Sequence, residues 1–530
     1  MNANAGQRQA DAAYERARAE LQRRFGYPDF RGVQPGAIRA VLEGRDVLVL
    51  MPTGGGKSLC FQIPALVLPG LTLVVSPLIS LMKDQVDALA RRDIPATFIN
   101  STLGAAETAV RLDACARGDV KLLYVAPERF ESADFKRRLD AFNVSLLAID
   151  ESHCISEWGH DFRPSYQRLG LVRRALVCPA IALTATATPA VRDDILGSLG
   201  LRRPLVIAGG FDRTNLSWHV VAARDEPHKD NALLRLLRRP RDGVAVVYAP
   251  TRKKVDALAD LLNHAGIGAA GYHAGASADD RARLQDAFMR GSTPVIVATS
   301  AFGMGIDKPD VRIVIHHAMP ATLESYYQEA GRGGRDGGPA ECVLLHGYHD
   351  RFTHEFLIDQ RQPDERTLRA VHAAVTAMRR PDTLEPVRVP LARIAQDAHV
   401  NGGAPAVEAA LRSLEKGSVW RLLKAARAAD PEVRVVAFEK ESRDLADVNW
   451  RQLRHGRDRE YGKLEWMQRY AYTTGCRRGF VLRYFGDPSA MRRCDGCDNC
   501  RGGARSPIHA RRPRLSITDR LRDSLRRLRR

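Results

Sequence analysis

Eighteen consecutive apolar residues, the least that would span a bilayer, occur nowhere in this chain, so no membrane span is expected. Residues 1–20 are polar and lack the apolar core of a secretory signal. No sustained heptad pattern is present, which argues for a monomer. A disulfide framework is also missing. Cys60, Cys115, Cys154, Cys178 and Cys342 are scattered, whereas Cys476, Cys494, Cys497 and Cys500 crowd near the end. That is metal spacing, suited to a reducing cytosol. Acidic residues are in deficit, 62 against 81 Lys and Arg, leaving a net charge of +19. The balance suits a polyanion-binding protein and, equally, a composition rich in arginine throughout.

What is present begins with size. The 530 residues, 45% hydrophobic and 27% charged, are enough for several globular cores. After the apolar run Val47 to Leu50 comes Met51-Pro52-Thr53-Gly54-Gly55-Gly56-Lys57-Ser58, and then a predicted helix over Leu59 to Leu66. Strand, glycine-rich turn and helix make a phosphate cradle. Thr53, Gly54, Gly55 and Gly56 bring main-chain N–H groups to phosphate oxygens, Lys57 adds a point charge and Ser58 offers a hydroxyl to Mg²⁺. The first glycine of the usual pattern is Met51 here. Taken alone, the stretch also reads as a glycine-rich turn beside a surface lysine. Upstream, Tyr27, Arg31 and Gln34 have the chemistry to stack on a purine and read its edge, or to be an ordinary loop.

From Val47 to about Gly210, apolar runs alternate with amphipathic stretches, which predicts a doubly wound parallel sheet with functional loops at the carboxyl ends of its strands. Asp150 and Glu151 follow the run Ser145 to Ile149. Beside a cradle, Asp150 suits a second Mg²⁺ anchor and Glu151 the activation of a water. Thr184 to Thr188 follows the next run and suits a relay between sites. A second sheet is expected after Phe211-Asp212-Arg213-Thr214-Asn215-Leu216, with Val244 to Tyr248, Pro294 to Ala298 and Val311 to His316 as its clearest strands. It has no cradle. It ends instead in Gln328 to Asp336, where Arg332 and Arg335 could stabilise charge on a γ-phosphate held by the first sheet.

In order, these motifs resemble those of superfamily 2 helicases, and of the RecQ family in particular. Phe25 to Gln34 is similar to the family's adenine-reading motif, with Tyr27, Arg31 and Gln34 at the matching positions. The family's cradle also lacks the leading glycine. Ser76 to Gln85 resembles a strand-contacting motif, and Asp150-Glu151-Ser152-His153 differs from the usual D-E-A-H at Ser152. Cys154 to Pro164 resembles the aromatic-rich loop that couples single-stranded DNA to hydrolysis, with Trp158 and Phe162 as stacking faces and Arg163 as a charge toward the backbone. Glu157 stands where Gln is more usual. Ala298 to Pro309 and Gln328 to Gly337 resemble the remaining motifs, and on the latter Arg335 matches the arginine finger, with Arg332 close by.

The accessory region departs from the pattern. Cys476-x₁₇-Cys494-x₂-Cys497-x₂-Cys500 resembles the family's zinc module, a closed set of four thiolates. The family normally places this module directly after the motor and a winged helix after it. Here Thr367 to Arg379, Leu391 to His399 and Ala404 to Lys416 are predicted helices, and Val419 to Leu423 and Val433 to Phe438 a β-hairpin, all ahead of the cysteines. That reads as a winged helix before the zinc, or as an unrelated helical insertion. Residues 501–530 hold eleven arginines and are expected to be a basic tail, with no further helical domain following.

The expected organisation is an N-terminal tail or helix (1–20), two RecA-like lobes (21–210 and 211–360), a winged helix (361–445), a zinc module (446–503) and the tail (504–530). The resemblance implies an ATP- and Mg²⁺-dependent DNA helicase with structural Zn²⁺. It would act on single-stranded and duplex DNA with 3′ to 5′ polarity, in repair and recombination, in a bacterial cytoplasm at the nucleoid. An RNA helicase on the same motor, or a DNA-binding or annealing protein that uses ATP as a switch, are the alternatives.

Overall fold

The computed structural model describes residues 2–159, 161–300, 302, 308–379, 385–423, 432–438, 445 and 448–502. The stretch 303–307 of the motif Ala298 to Pro309, the turn of the predicted hairpin and the basic tail 504–530 lie outside them. Two compact units divide the chain. One comprises Met1–Pro320, Glu324–His346 and the chain from Tyr470 onward, and the other Ala321–Leu323 and Gly347–Arg469.

The first unit holds two parallel sheets. Seven strands form the first: β1 Val47–Leu50, β2 Leu71–Val75, β3 Ala96–Ile99, β4 Leu122–Val125, β5 Val144–Ile149, β6 Ala180–Thr184 and β7 Leu205–Ala208, in the order β3-β4-β2-β5-β6-β1-β7. Every pairing is parallel, as in Val47 opposite Ile181 and Val49 opposite Leu183. β1, β2, β4 and β6 are buried along their whole length, which is why they read as unbroken apolar runs. Each such Val or Leu contributes about 1.5–3 kcal/mol by leaving water. The helix Asn2–Glu20 extends through a π-helical turn to Phe25 and buries Ala17 and Leu21 against Phe30, Ile38 and Ile63. The N-terminus is therefore a packed helix.

Six strands form the second sheet: β8 Leu216–Ala222, β9 Val244–Tyr248, β10 Ala269–Tyr272, β11 Val295–Ala298, β12 Val311–His316 and β13 Ala340–His346, ordered β10-β11-β9-β12-β13-β8 and all parallel. β8 is an edge, and the cysteine-bearing segment covers it. The Trp218 N–H donates to Gly496 O at 2.7 Å and the Val220 N–H to Asp498 Oδ2 at 2.9 Å. An open row of strand donors is thereby satisfied.

In the second unit the helices Glu365–Ala377, Leu391–Asp397 and Gly403–Lys416 pack on an antiparallel sheet of β14 Val387–Pro390, β15 Arg421–Leu423 and β16 Val433–Ala437, ordered β14-β16-β15. Leu368, Val371, Ile394, Leu411, Leu414, Trp420 and Val436 are among its core. The hairpin expected from sequence thus gains a third strand, β14, whose exposed Arg388 and terminal Pro390 break the apolar run by which a strand is read. Among the described residues no helix is long and apolar enough to cross a membrane.

Candidate functional site

β1 and β5 flank β6, so the chain leaving Leu50 and the chain leaving Ile149 emerge on the same sheet edge. With neighbouring strands about 4.8 Å apart, the two ends lie roughly 10 Å from each other, the span of a nucleotide's phosphates and their cation.

The turn after β1 requires its glycines. Gly54 and Gly56 have φ of +82° and +78°, and a Cβ on Gly56 would lie 2.6 Å from Gln34 Nε2. A Cβ on Gly55 would lie 2.6 Å from Met51 Cγ, so Met51 fills the space beneath the turn and is itself 3% exposed. The unusual methionine is part of the cradle's floor. Lys57 Nζ donates to Met51 O at 3.4 Å. Gln34 Nε2 donates to Gly55 O and Gly56 O, and Gln34 Oε1 accepts from the Arg31 N–H at 2.9 Å. The Arg31 guanidinium lies over the Tyr27 ring at 5.5 Å. The three candidate purine-contacting residues therefore stand on one wall.

Asp150 continues the ladder, its N–H bonded to Val75 O, and its carbonyl accepts from the Tyr166 hydroxyl at 3.0 Å. Glu151 takes a left-handed backbone, φ +46°, rare for a residue with a side chain, and turns its carboxylate toward His153 Nδ1 at 3.3 Å. His153 Nδ1 also lies 2.8 Å from Thr184 Oγ1. Thr184, at the end of β6, is thus joined through His153 to Glu151. Burial pushes the Asp150 carboxyl up to about 7, adjacent Glu151 adds to the shift and Lys57 opposes it. A buried carboxylate pair of this kind beside the cradle suits a divalent cation.

Arg332 and Arg335 reach this cleft from the second sheet. Arg332 is 4% exposed and lies beside the Tyr248 phenol, which burial pushes up to about 12 while Arg332 pulls it down. Arg335 packs over Gly54, where an added Cβ would lie 3.2 Å from Arg335 Cγ. A cleft of about 540 Å³ collects Tyr27, Arg31, Gln34, Thr53 to Ser58, Asp150, Glu151, Arg332 and Arg335. Asp29, Gln85 and Gln328 line it too. Asp29 carried no signal beyond its place between Tyr27 and Arg31, whereas Gln85 and Gln328 lay inside recognised motifs.

Trp158, Phe162 and Arg163 are not in the cleft lining. They stand on a loop closed by the Arg163 N–H donating to Cys154 O, with Trp158 51% exposed. Arg163 bonds Asp161 Oδ2 and Pro77 O, so it links this loop to the end of β2. His160 of the same loop lies outside the described residues.

The four clustered cysteines converge, their sulfurs all within 4.8 Å of one another. A tetrahedral Zn²⁺ with bonds near 2.3 Å needs sulfurs about 3.8 Å apart, which this cluster accommodates. The Gly479 N–H donates to Cys476 Sγ and the Cys494 N–H to Cys500 Sγ, each at 3.3 Å, the bonds that steady metal thiolates. Gly479 admits no side chain, since a Cβ would meet Met491 O at 1.9 Å. The residues fit zinc.

Three family models match the chain: DEAD/DEAH box helicase over residues 31–195, helicase conserved C-terminal domain over 228–337 and RecQ zinc-binding over 440–501. The "ATP-dependent DNA helicase RecQ" of Bacillus subtilis (strain 168) is 47% identical over 354 residues, 66% of this chain and 59% of that protein. The protein of the same name from Pasteurella multocida is 45% identical over 349 residues, 66% of this chain and 55% of its own length. This chain therefore spans less than two thirds of either relative. Among solved structures, the Mycobacterium smegmatis helicase Lhr bound to ssDNA and AMP-PNP superposes with a TM-score of 0.50 at 20% identity, covering 78% of this chain and 59% of that one. At that identity the likeness concerns the fold alone.

Proposed function

We propose that this chain, as a member of the RecQ family of superfamily 2 helicases, hydrolyses ATP to move 3′ to 5′ along single-stranded DNA and separates duplex ahead of it. One observation carries the reading: a single cleft gathers the cradle, the acidic pair and two arginines from a second sheet.

In this reading Tyr27 stacks on the adenine and Gln34 reads its edge, with Arg31 held over the tyrosine. Thr53 to Gly56 and Lys57 hold the phosphates, and Ser58 and Asp150 hold Mg²⁺, which supplies charge neutralisation when bound. Glu151 orients the attacking water and takes its proton, with His153 held between Glu151 and Thr184. Arg335, with Arg332 beside it, stabilises charge on the γ-phosphate when the lobes close. Trp158, Phe162 and Arg163 contact single-stranded DNA. Residues 361–445 form a winged helix that contacts duplex, residues 446–503 a structural zinc module, and the basic tail adds phosphate contacts. The protein acts as a monomer at the bacterial nucleoid.

Unwinding of a short duplex bearing a 3′ or a 5′ single-stranded tail tests this, with Glu151→Gln as the inactive control. Unwinding from the 3′ tail alone is the expected result. Hydrolysis without unwinding from either tail would overturn it in favour of a translocase or switch. RNA that stimulates hydrolysis as well as DNA does would move the substrate to RNA.

A further inference from the structure

Between the two sheets the chain passes through Phe211-Asp212-Arg213-Thr214-Asn215, to which no role attaches above. Arg213 is the point of interest. Its NH1 donates to Thr53 O at 2.9 Å and to Gly331 O at 3.0 Å. Its NH2 donates to Gly333 O at 2.7 Å and Gly334 O at 3.1 Å, and its Nε faces Asn215 Oδ1 at 3.4 Å. A guanidinium has five N–H donors in a planar fork, and here each has an acceptor.

The acceptors belong to the two halves of the cleft. Thr53 is the cradle residue just before Gly54. Gly331, Gly333 and Gly334 lie in the turn after the helix Leu323–Ala330. Arg332 stands between two of the anchored carbonyls and Arg335 directly follows the third. Asn215 reinforces the turn, its Nδ2 donating to Gly334 O at 2.8 Å and Gly338 O at 2.7 Å. With these carbonyls held, the main chain that aims both arginines has little freedom left.

The clamp is braced from behind. Phe211 stacks on Phe485 with ring centroids 4.8 Å apart, its N–H donates to Asp487, and Asp212 pairs with Arg478. Tyr327, on the helix leading into the arginine turn, donates its hydroxyl to Phe211 O at 2.6 Å. Arg213 therefore projects from a short segment pinned on both sides.

We infer that Arg213 is a positioning residue for hydrolysis, a main-chain clamp that registers the arginine turn of the second lobe against the phosphate cradle of the first. It touches no reacting atom and acts through Arg332 and Arg335. The inference rests on the ATPase reading above and extends it. A merely structural role would lower stability and nucleotide affinity together. A positioning role lowers turnover at nearly constant nucleotide affinity, since the cradle keeps its own phosphate contacts.

The test uses the full chain with Arg213→Ala and Arg213→Lys, each alone and with Arg335→Ala. Turnover is measured with saturating single-stranded oligonucleotide, and nucleotide affinity with a fluorescent, non-hydrolysable ATP analogue. Arg213→Ala is expected to lower kcat by about 10²-fold, the scale of a misplaced transition-state group, with Kd changed by less than about threefold. Lysine, with one cationic head for four carbonyls, gives an intermediate kcat, and this variant gives the same split should alanine prevent folding. In the Arg335→Ala background Arg213→Ala should cost less than about threefold more, because the two act as one unit. Unchanged kcat, a Kd weakened as much as kcat falls, or full multiplicative loss with Arg335→Ala would each overturn the inference. A wild-type protein that hydrolyses no ATP would instead sink the ATPase reading beneath it.

Discussion

The Gln34 amide donates to the main-chain carbonyl of Gly56 at 3.2 Å while leaving no room for a Cβ there. Gln34, which matches the family's adenine-reading motif, is thus also a brace for the glycine turn after β1. Gly56→Ala would combine a strained positive φ with a clash on Gln34. Nucleotide affinity should fall by more than about tenfold, roughly the 1–2 kcal/mol of the backbone term alone. Equilibrium binding of a fluorescent ATP analogue checks this, and an unchanged Kd would show that the turn relaxes freely.

Glu151 and Lys57 should separate binding from chemistry. Glu151→Gln keeps size and backbone, so nucleotide affinity should hold while turnover drops by about 10²–10⁴-fold. Lys57→Ala should weaken binding itself. Equal effects of both substitutions on Kd would argue against these roles.

The zinc loop covers the edge of β8, so metal removal should be felt in the second sheet. Trp218 is 2% exposed, lies parallel to Tyr327 at 6.4 Å and donates its main-chain N–H to Gly496 O. Chelation, or Cys494→Ser, should shift its fluorescence to longer wavelength and lower the melting temperature as zinc leaves. Zinc loss measured by atomic spectroscopy with no change in either signal would contradict the coupling.

Asp487 gives this joint a pH signature. Burial works against its charge, but the N–H of Phe211 and the N–H and hydroxyl of Ser489 outweigh it and hold the carboxyl below its ordinary value. The contribution is fully present above the unfolded value of about 3.9 and is lost as pH falls through the lowered folded value. Asp487→Asn should therefore be less stable than wild type near neutrality, with the gap closing below about pH 4. Denaturant melts at a series of pH values would show it, and a gap independent of pH would refute the assignment.

Trp158 is 51% exposed, so Trp158→Ala should leave stability within about 0.5 kcal/mol. Loss of a stacking face should weaken single-stranded DNA binding by about 1–3 kcal/mol. Anisotropy titrations and thermal melts read the two effects separately.

How far the fold could be read depended on where each strand lies. β1, β2, β4, β5, β6, β9, β11 and β12 were legible because interior strands, covered on both faces, are continuous apolar runs. The strands not singled out include all four edges of the two parallel sheets, β3, β7, β8 and β10. An edge buries less: β10 is Ala-Ala-Gly-Tyr, half-buried throughout, and β7 alternates half-buried with exposed residues. The burial that stabilises such strands comes from neighbours distant in the chain.

The sequence by itself determined the cradle, the acidic pair, the arginine turn and the four thiols, because each is a short contiguous chemistry whose residue types admit few alternatives. Only the tertiary structure decided which of them share a cleft, that Met51 is the cradle's floor, that the zinc loop completes a sheet edge and that Arg213 joins the two lobes. Those relationships run mostly through main-chain carbonyls and N–H groups, which every residue carries alike and which leave no mark on the order of side chains.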